Sequence, residues 1–219
     1  LEMSKDELVQ RLMCSEAEVE SQRLRSGNMQ SSDWEKLVTA MDVLSDAPIY
    51  IDDTPGCSLT DIRAKCRRLA MADKNLSMII IDYLQLIDSS AKYSGSRQQE
   101  VSEISRNLKT MALELEVPVI ALSQLSRSVE KREDKKPVLS DLRESGSIEQ
   151  DADIVMFLYR PDYYRNELSE EERDEVDENL TELIVAKNRH GGVGTIQLTF
   201  DKEFTRFRSI DNVRDYSQS

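Results

Sequence analysis

Met78-Ile79-Ile80-Ile81-Asp82-Tyr83-Leu84-Gln85-Leu86 is the stretch that decides the fold. Four apolar residues run into a carboxylate, the pattern of a buried strand with a polar tip. Val117-Pro118-Val119-Ile120-Ala121-Leu122-Ser123-Gln124 repeats the pattern with a Ser-Gln tip. Between them, Gln98 to Leu115 has the length and spacing of a helix. Strand, helix and strand in that order form the unit of a parallel sheet. In open α/β sheets, ligands bind beyond the carboxyl ends of the strands. Acid and amide would therefore stand side by side where an ATP-hydrolysing core holds its nucleotide. The phosphate loop of such a core, G-x-x-x-x-G-K-[ST], occurs nowhere in the 219 residues. Two expectations follow: part of an ATPase whose phosphate loop lies upstream, or a fold that does not hydrolyse ATP.

Working outward, Ser4 to Met13 reads as a helix, with Ser4 and Glu7 spaced as a capping box. Glu16 to Arg25 continues helically and stops at Gly27-Asn28. Ser32 is placed to cap a helix whose Trp34, Leu37, Val38, Met41 and Leu44 recur at helical spacing. Ile49-Tyr50-Ile51 reads as a short strand, and Asp53-Thr54-Pro55-Gly56 as a turn. Leu59 to Ala72 is expected to be a helix, and Ser89 to Arg97 a loop. Ile154 to Leu158 and Leu183 to Ala186 read as further strands, and Thr195 to Phe200 alternates as an antiparallel strand does. The whole predicts an α/β fold: a mostly parallel sheet flanked by helices, with an antiparallel extension.

The chain has room for one sizeable domain. No apolar run approaches the roughly 20 residues that span a bilayer, and no signal peptide opens the chain. Leu1-Glu2-Met3 reads as a cut inside a longer protein. Cys14, Cys57 and Cys66 are odd in number and lack metal-ligand spacing, which fits reduced thiols and a cytoplasmic location. The single histidine, His190, excludes multi-histidine metal sites. Net charge is −13, of which Glu167 to Glu178 supplies −7. That run reads as a solvated excursion, so the acidity argues only weakly against a local path for nucleic acid.

Four groups of residues could carry chemistry. Asp82 reads either as a Mg²⁺ ligand at a nucleotide or as a cap on the following turn. Gln124, at the matching tip, reads as a γ-phosphate sensor or as a polar strand end. Lys187-Asn188-Arg189-His190-Gly191-Gly192 puts two cations at i and i+2, pointing the same way on an extended segment. It reads as a basic turn, or as a lysine and an arginine finger serving a neighbouring subunit's γ-phosphate. Ser140-Asp141-Leu142-Arg143-Glu144-Ser145-Gly146 reads as a solvated polar loop, or as a loop that grips a DNA phosphate backbone.

In this order the segments resemble the C-terminal motor domain of the DnaB-type bacterial replicative helicases, hexameric proteins with a RecA-like P-loop NTPase core. The motifs that carry the resemblance run from Leu1 to about Ile210: Leu1-Glu2-Met3-Ser4, Ile79 to Leu86, Val119 to Arg127, Asp141 to Asp153, Tyr159-Arg160 and Lys187-Asn188-Arg189. The resemblance implies a motor domain over 1–210 and a tail over 211–219. It implies ATP and Mg²⁺ as ligands, with Glu2 polarising the attacking water, Asp82 on the metal and Gln124 on the γ-phosphate. Lys187 and Arg189 would act in trans, with Arg160 supporting the same interface. Arg143, Glu144 and Gly146 would hold single-stranded DNA. The implied partners are a homohexamer, a helicase loader and primase, and the implied movement is 5' to 3'. The missing phosphate loop implies weak ATP binding by the chain alone, and keeps open a non-catalytic fragment that docks a loader or primase. The acidic run looks longer than the family needs.

Overall fold

A computed structural model of the chain describes residues 3–72, 76–88, 97–132, 134–167 and 176–210. The helices are α1 (Lys5–Ala17), α2 (Ser21–Ser26), α3 (Ser31–Asp46), α4 (Leu59–Ala72), α5 (Arg97–Leu115) and α6 (Gly146–Asp151). The strands are β1 (Ile79–Ile81), β2 (Val119–Ala121), β3 (Ile154–Tyr159), β4 (Leu180–Asn188), β5 (Gly194–Asp201) and β6 (Arg206–Ser209). They fall into two compact units. One is built mainly from Asp52–Val155 and Ala186–Val193, the other from Lys5–Ile51, Met156–Val185 and Gly194 onward.

The first unit carries the expected strand-helix-strand. β1 and β2 pair in parallel, with Ile79 opposite Val119 and Ile81 opposite Ala121. A parallel pair needs a long crossover, and α5 supplies it. Val101, Ile104, Leu108 and Met111 lie at spacings of three and four along α5, so one face is apolar. That face buries against Ile79, Ile81, Leu84 and Ile87, forming the core of the unit. On the partner face of the strands Ile80 is 64% exposed and Ile120 36%. The sequence reads as a strand buried on both faces; among the described residues, only one face is covered.

At the start of α4, Ser58 and Asp61 exchange side chain-to-backbone hydrogen bonds, which satisfies donors that the first turn leaves unpaired. Arg63 and Arg67, one turn apart on α4, both bind Glu114 on α5. Their guanidinium groups hold the Glu114 carboxyl below the usual range.

The second unit holds α1, α2 and α3 with most of the four-stranded sheet β3-β4-β5-β6. β4 and β5 form an antiparallel hairpin with Leu183 opposite Ile196, and β6 adds antiparallel to β5. The expected antiparallel strands are present, but among the described residues they belong to a sheet of their own and do not extend the parallel pair β1-β2. Phe207 on β6 packs on Phe200, ring centroids 4.7 Å apart.

Three expectations are corrected here. The helix expected over Glu16 to Arg25 is interrupted: α1 ends at Ala17, Glu18 takes a left-handed φ of 50°, and the chain restarts as α2. Gln30 rather than Ser32 caps α3, and its backbone N–H donates to the Asp33 carboxylate at 3.0 Å. Ile49-Tyr50-Ile51 is not a strand, since the Ile49 N–H turns back onto the Ala47 carbonyl at 2.7 Å instead of reaching a neighbouring strand. On α3, Leu37 and Ala40 are buried, while Trp34, Val38 and Met41 are more than half exposed. Among the described residues no helix is long and apolar enough to cross a membrane.

Candidate functional site

The register of β1 and β2 brings their carboxyl ends level. Beyond the paired residues, the Leu122 N–H donates to the Ile81 carbonyl and the Leu84 N–H to the Leu122 carbonyl, both at 2.9 Å. Asp82 follows Ile81 directly and Gln124 follows Leu122 by two residues, and both are exposed. The peptide between Asp82 and Tyr83 is cis. Gln85, in the 3-10 turn Leu84–Leu86 that follows β1, reaches the tip of β2. Its Nε2 donates to Ser123 Oγ at 3.0 Å and to the Gln124 carbonyl at 3.3 Å. Its Oε1 accepts the Gln124 N–H at 3.3 Å. Sequence reasoning placed Asp82 and Gln124 together and assigned nothing to Gln85. The signal available was a polar residue at position 85 between two apolar ones, three residues after the acid.

Lys187 and Arg189 form a second cluster, at the end of α6. The Lys187 ammonium donates to the carbonyls of Glu149 and Ala152, the latter at 2.8 Å. Arg189 donates through Nη2 to the Gln150 carbonyl at 2.9 Å. Carbonyls at a helix C-terminus lack intrahelical partners and carry partial negative charge, so two cations suit them. Arg189 also pairs with the Asp153 carboxylate at 3.2 Å. The i and i+2 reading therefore holds geometrically: both cations point to one place.

Arg143, Glu144 and Gly146 lie where the 3-10 turn Leu139–Ser145 passes into α6, so the segment is wound rather than an open loop. Their side chains lie outside what the structure describes. What holds the turn is clear. Asp141 is 3% exposed. Its carboxylate accepts from Arg132 Nη1 and Nη2 at 3.0 and 2.6 Å and from the Val138 N–H at 2.7 Å. Burial pushes this carboxyl up, but Arg132, Val138 and Ser128 outweigh it and leave it below the ordinary range.

Arg160 belongs to the second unit. Its guanidinium lies over the Phe200 ring, 4.2 Å from the centroid, and 3.5 Å from the Asp162 carboxylate. Both contacts are within its own chain. Glu2, the tail 211–219, most of Ser89 to Arg97, and residues 168–175 of the acidic run lie outside the described residues.

A parallel strand pair with a helical crossover, and an acid and a glutamine at its tips, defines a class: an α/β fold of parallel strand-helix-strand type. The comparisons narrow it. Residues 1–209 match the family described as DnaB-like helicase C terminal domain, and the chain belongs to that family. It is 57% identical over 218 residues to the replicative DNA helicase DnaB of Geobacillus stearothermophilus, covering 100% of this chain and 46% of that protein. It is 56% identical to the replicative DNA helicase DnaC of Bacillus subtilis (strain 168), covering 96% of this chain and 45% of that one. Among solved structures, a DnaB-like replicative helicase described with its interactions with primase aligns with a TM-score of 0.88 at 45% identity, over 96% of this chain and 49% of the other. A separately solved ATPase domain aligns equally well, over 96% of this chain and 72% of its own. The chain thus spans less than half the length of the two full relatives.

Proposed function

We propose that this chain is the larger part of the ATP-driven motor of a replicative DNA helicase. In the parent protein it serves ATP hydrolysis between the subunits of a homohexameric ring. The ring draws single-stranded DNA through itself 5' to 3' and unwinds duplex at the replication fork. The observation that carries this reading is the parallel pair whose carboxyl ends are followed by Asp82 on one strand and by Gln124, held by Gln85, on the other, in a chain of this family.

Asp82 is the residue to hold Mg²⁺. Among the described residues no group of three or more His, Cys, Asp or Glu could hold a metal. A single exposed carboxylate suits an ion that keeps several waters and takes its other ligands from phosphate oxygens. Held there by Asp82, Mg²⁺ would supply positive charge that offsets the charge of the phosphates. Gln124 contacts the γ-phosphate, and Glu2 polarises the attacking water. Lys187 and Arg189 act on the nucleotide of the adjacent subunit, and Arg160 supports that interface. Arg143, Glu144 and Gly146 hold the strand. The catalytic contribution is positioning and stabilisation of developing charge. Residues 1–210 form the motor domain and 211–219 a tail, and the rest of the parent protein supplies the phosphate loop. Primase and a loader are its proposed protein partners, and the cytoplasm its location.

The test is ATP hydrolysis by the intact parent protein, with and without single-stranded DNA. Hydrolysis that rises with DNA and falls by about 100-fold or more in Asp82→Asn is expected. Hydrolysis indifferent to Asp82→Asn contradicts the site. No hydrolysis under either condition contradicts the motor and favours a docking module.

A further inference from the structure

Asp153 follows α6 by two residues and has no part in the chemistry above, yet it makes three bonds to that chemistry's surroundings. Its Oδ1 takes Arg189 at 3.2 Å, and its Oδ2 takes the Lys109 ammonium of α5. Its main-chain carbonyl accepts the Arg189 N–H at 2.8 Å. Arg189 is thus held by side chain and backbone of one residue, and by the Gln150 carbonyl besides. Lys109 holds the Asp153 carboxyl below its usual range, with Arg189 and His190 adding to the effect.

The rest of α6 is tied to the same support. Near its start, Ser147 Oγ donates to Ser102 Oγ on α5 at 2.8 Å. Ser102 and Lys109 are seven residues apart, two helical turns on one face of α5. So α6 is fastened to one rail just after the Arg143–Gly146 segment and again just past its own end. An ion pair as exposed as Asp153 and Arg189, at 41% and 44%, contributes little stability. Its consequence is where the guanidinium stands.

We propose that Asp153 is a positioning residue for Arg189, fixing the guanidinium to the end of α6 so that the segment before α6 and the trans-acting cation move as one piece. This rests on the reading of Arg189 as a finger. A displacement of the DNA-side segment carries α6, Asp153 and Arg189 together, and a change of contact at Arg189 is felt at the other end of the helix.

The test is a double-mutant cycle on steady-state ATP hydrolysis by the parent hexamer at saturating single-stranded DNA. Asp153→Asn is expected to lower kcat by about tenfold and to change KM for ATP by less than about threefold. Asp153→Glu is expected to recover most of the rate. With Lys at position 189 the guanidinium is already gone, so adding Asp153→Asn to Arg189→Lys is expected to cost less than about twofold. An equal loss in both backgrounds, or no loss of kcat, overturns the proposal. If Asp153→Asn fails to assemble, the cycle is run with Lys109→Met, which loosens Asp153 and keeps its carboxylate. That variant is expected to lower kcat beside Arg189 and not in the Arg189→Lys background, and equal losses again overturn the proposal. Arg189→Ala at the wild-type rate would instead overturn the finger reading beneath it.

Discussion

The side-chain amide of Gln85 grips the main chain of Gln124 from both sides, donating to its carbonyl and accepting from its N–H, each at 3.3 Å. The tip of one parallel strand is thereby fastened to the turn that follows the other. Gln124 is held by its backbone while its side chain stays exposed, which is what a residue needs if its side chain is to meet a phosphate at a fixed place. Gln85→Leu removes both of these bonds and the one to Ser123 Oγ. In the parent protein it is expected to lower kcat for ATP hydrolysis about tenfold or more, because small misplacements of reacting groups are costly. The loss in stability should be modest, about 1–2 kcal/mol for the bonds removed. Steady-state kinetics beside thermal unfolding separates the two effects.

Asp141 organises the segment ahead of the proposed DNA contacts. Asp141→Asn weakens the Arg132 pair and leaves a buried group short of partners, so a loss of about 2–4 kcal/mol is expected in denaturant unfolding. The carboxyl titrates below the ordinary 3.8 in the folded chain. The sign follows: the unfolded chain takes up the proton first as pH falls. The stabilisation is complete at neutral pH and is lost as pH drops below the ordinary carboxylate range. In Asp141→Asn that part of the acid dependence should disappear.

Asp52 offers a more direct titration. Its carboxylate takes Lys65 Nζ at 2.7 Å and the Thr54 hydroxyl at 2.6 Å. Lys65 first and Thr54 second bring its pKa down to about 2 from 3.8. The contribution to stability is present above 3.8, fades as pH falls toward 2, and is small because the pair is at the surface. A carboxyl NMR titration should place Asp52 near 2. Lys65→Met should move it part of the way back to 3.8, with Thr54 still holding it low.

Much of this was legible in the sequence, for physical reasons. Apolar runs ending in polar residues located β1, β2 and their tips, because burial and strand-end chemistry are both local signals. The length and spacing of Gln98 to Leu115 mark the helix that became α5. What was not legible depends on partners far along the chain. Nothing near Gln85 indicates that it will meet Gln124, or near Asp153 that it will meet Lys109 and Arg189. Asp141 reads as part of a polar loop in the sequence, since its burial arises from Arg132 and Val138, which bind its carboxylate. Ile49-Tyr50-Ile51 had the residue types of a strand and no partner strand among the described residues. The Gln30 cap is not legible because glutamine is an uncommon residue there, and Ser32 is the stronger local signal.

Arg143 tests the proposed path of DNA. Arg143→Ala in the parent protein is expected to weaken single-stranded DNA binding and to reduce the salt slope of log K by about 0.7, the share of one phosphate contact. Equilibrium binding over a range of salt concentrations reads both quantities. An unchanged slope would remove Arg143 from the phosphate contacts.

The central claim is that Asp82 and Arg189 serve one nucleotide from two different subunits. Parent proteins carrying Asp82→Asn and Arg189→Ala should each be nearly inactive alone. Mixed at equal amounts in a head-to-tail ring, about a quarter of the interfaces would pair an intact Asp82 with an intact Arg189. ATP hydrolysis by the mixture is therefore expected to recover to about a quarter of the wild-type rate, if the interfaces work independently. A mixture that exchanges subunits and stays as inactive as its components would contradict action in trans.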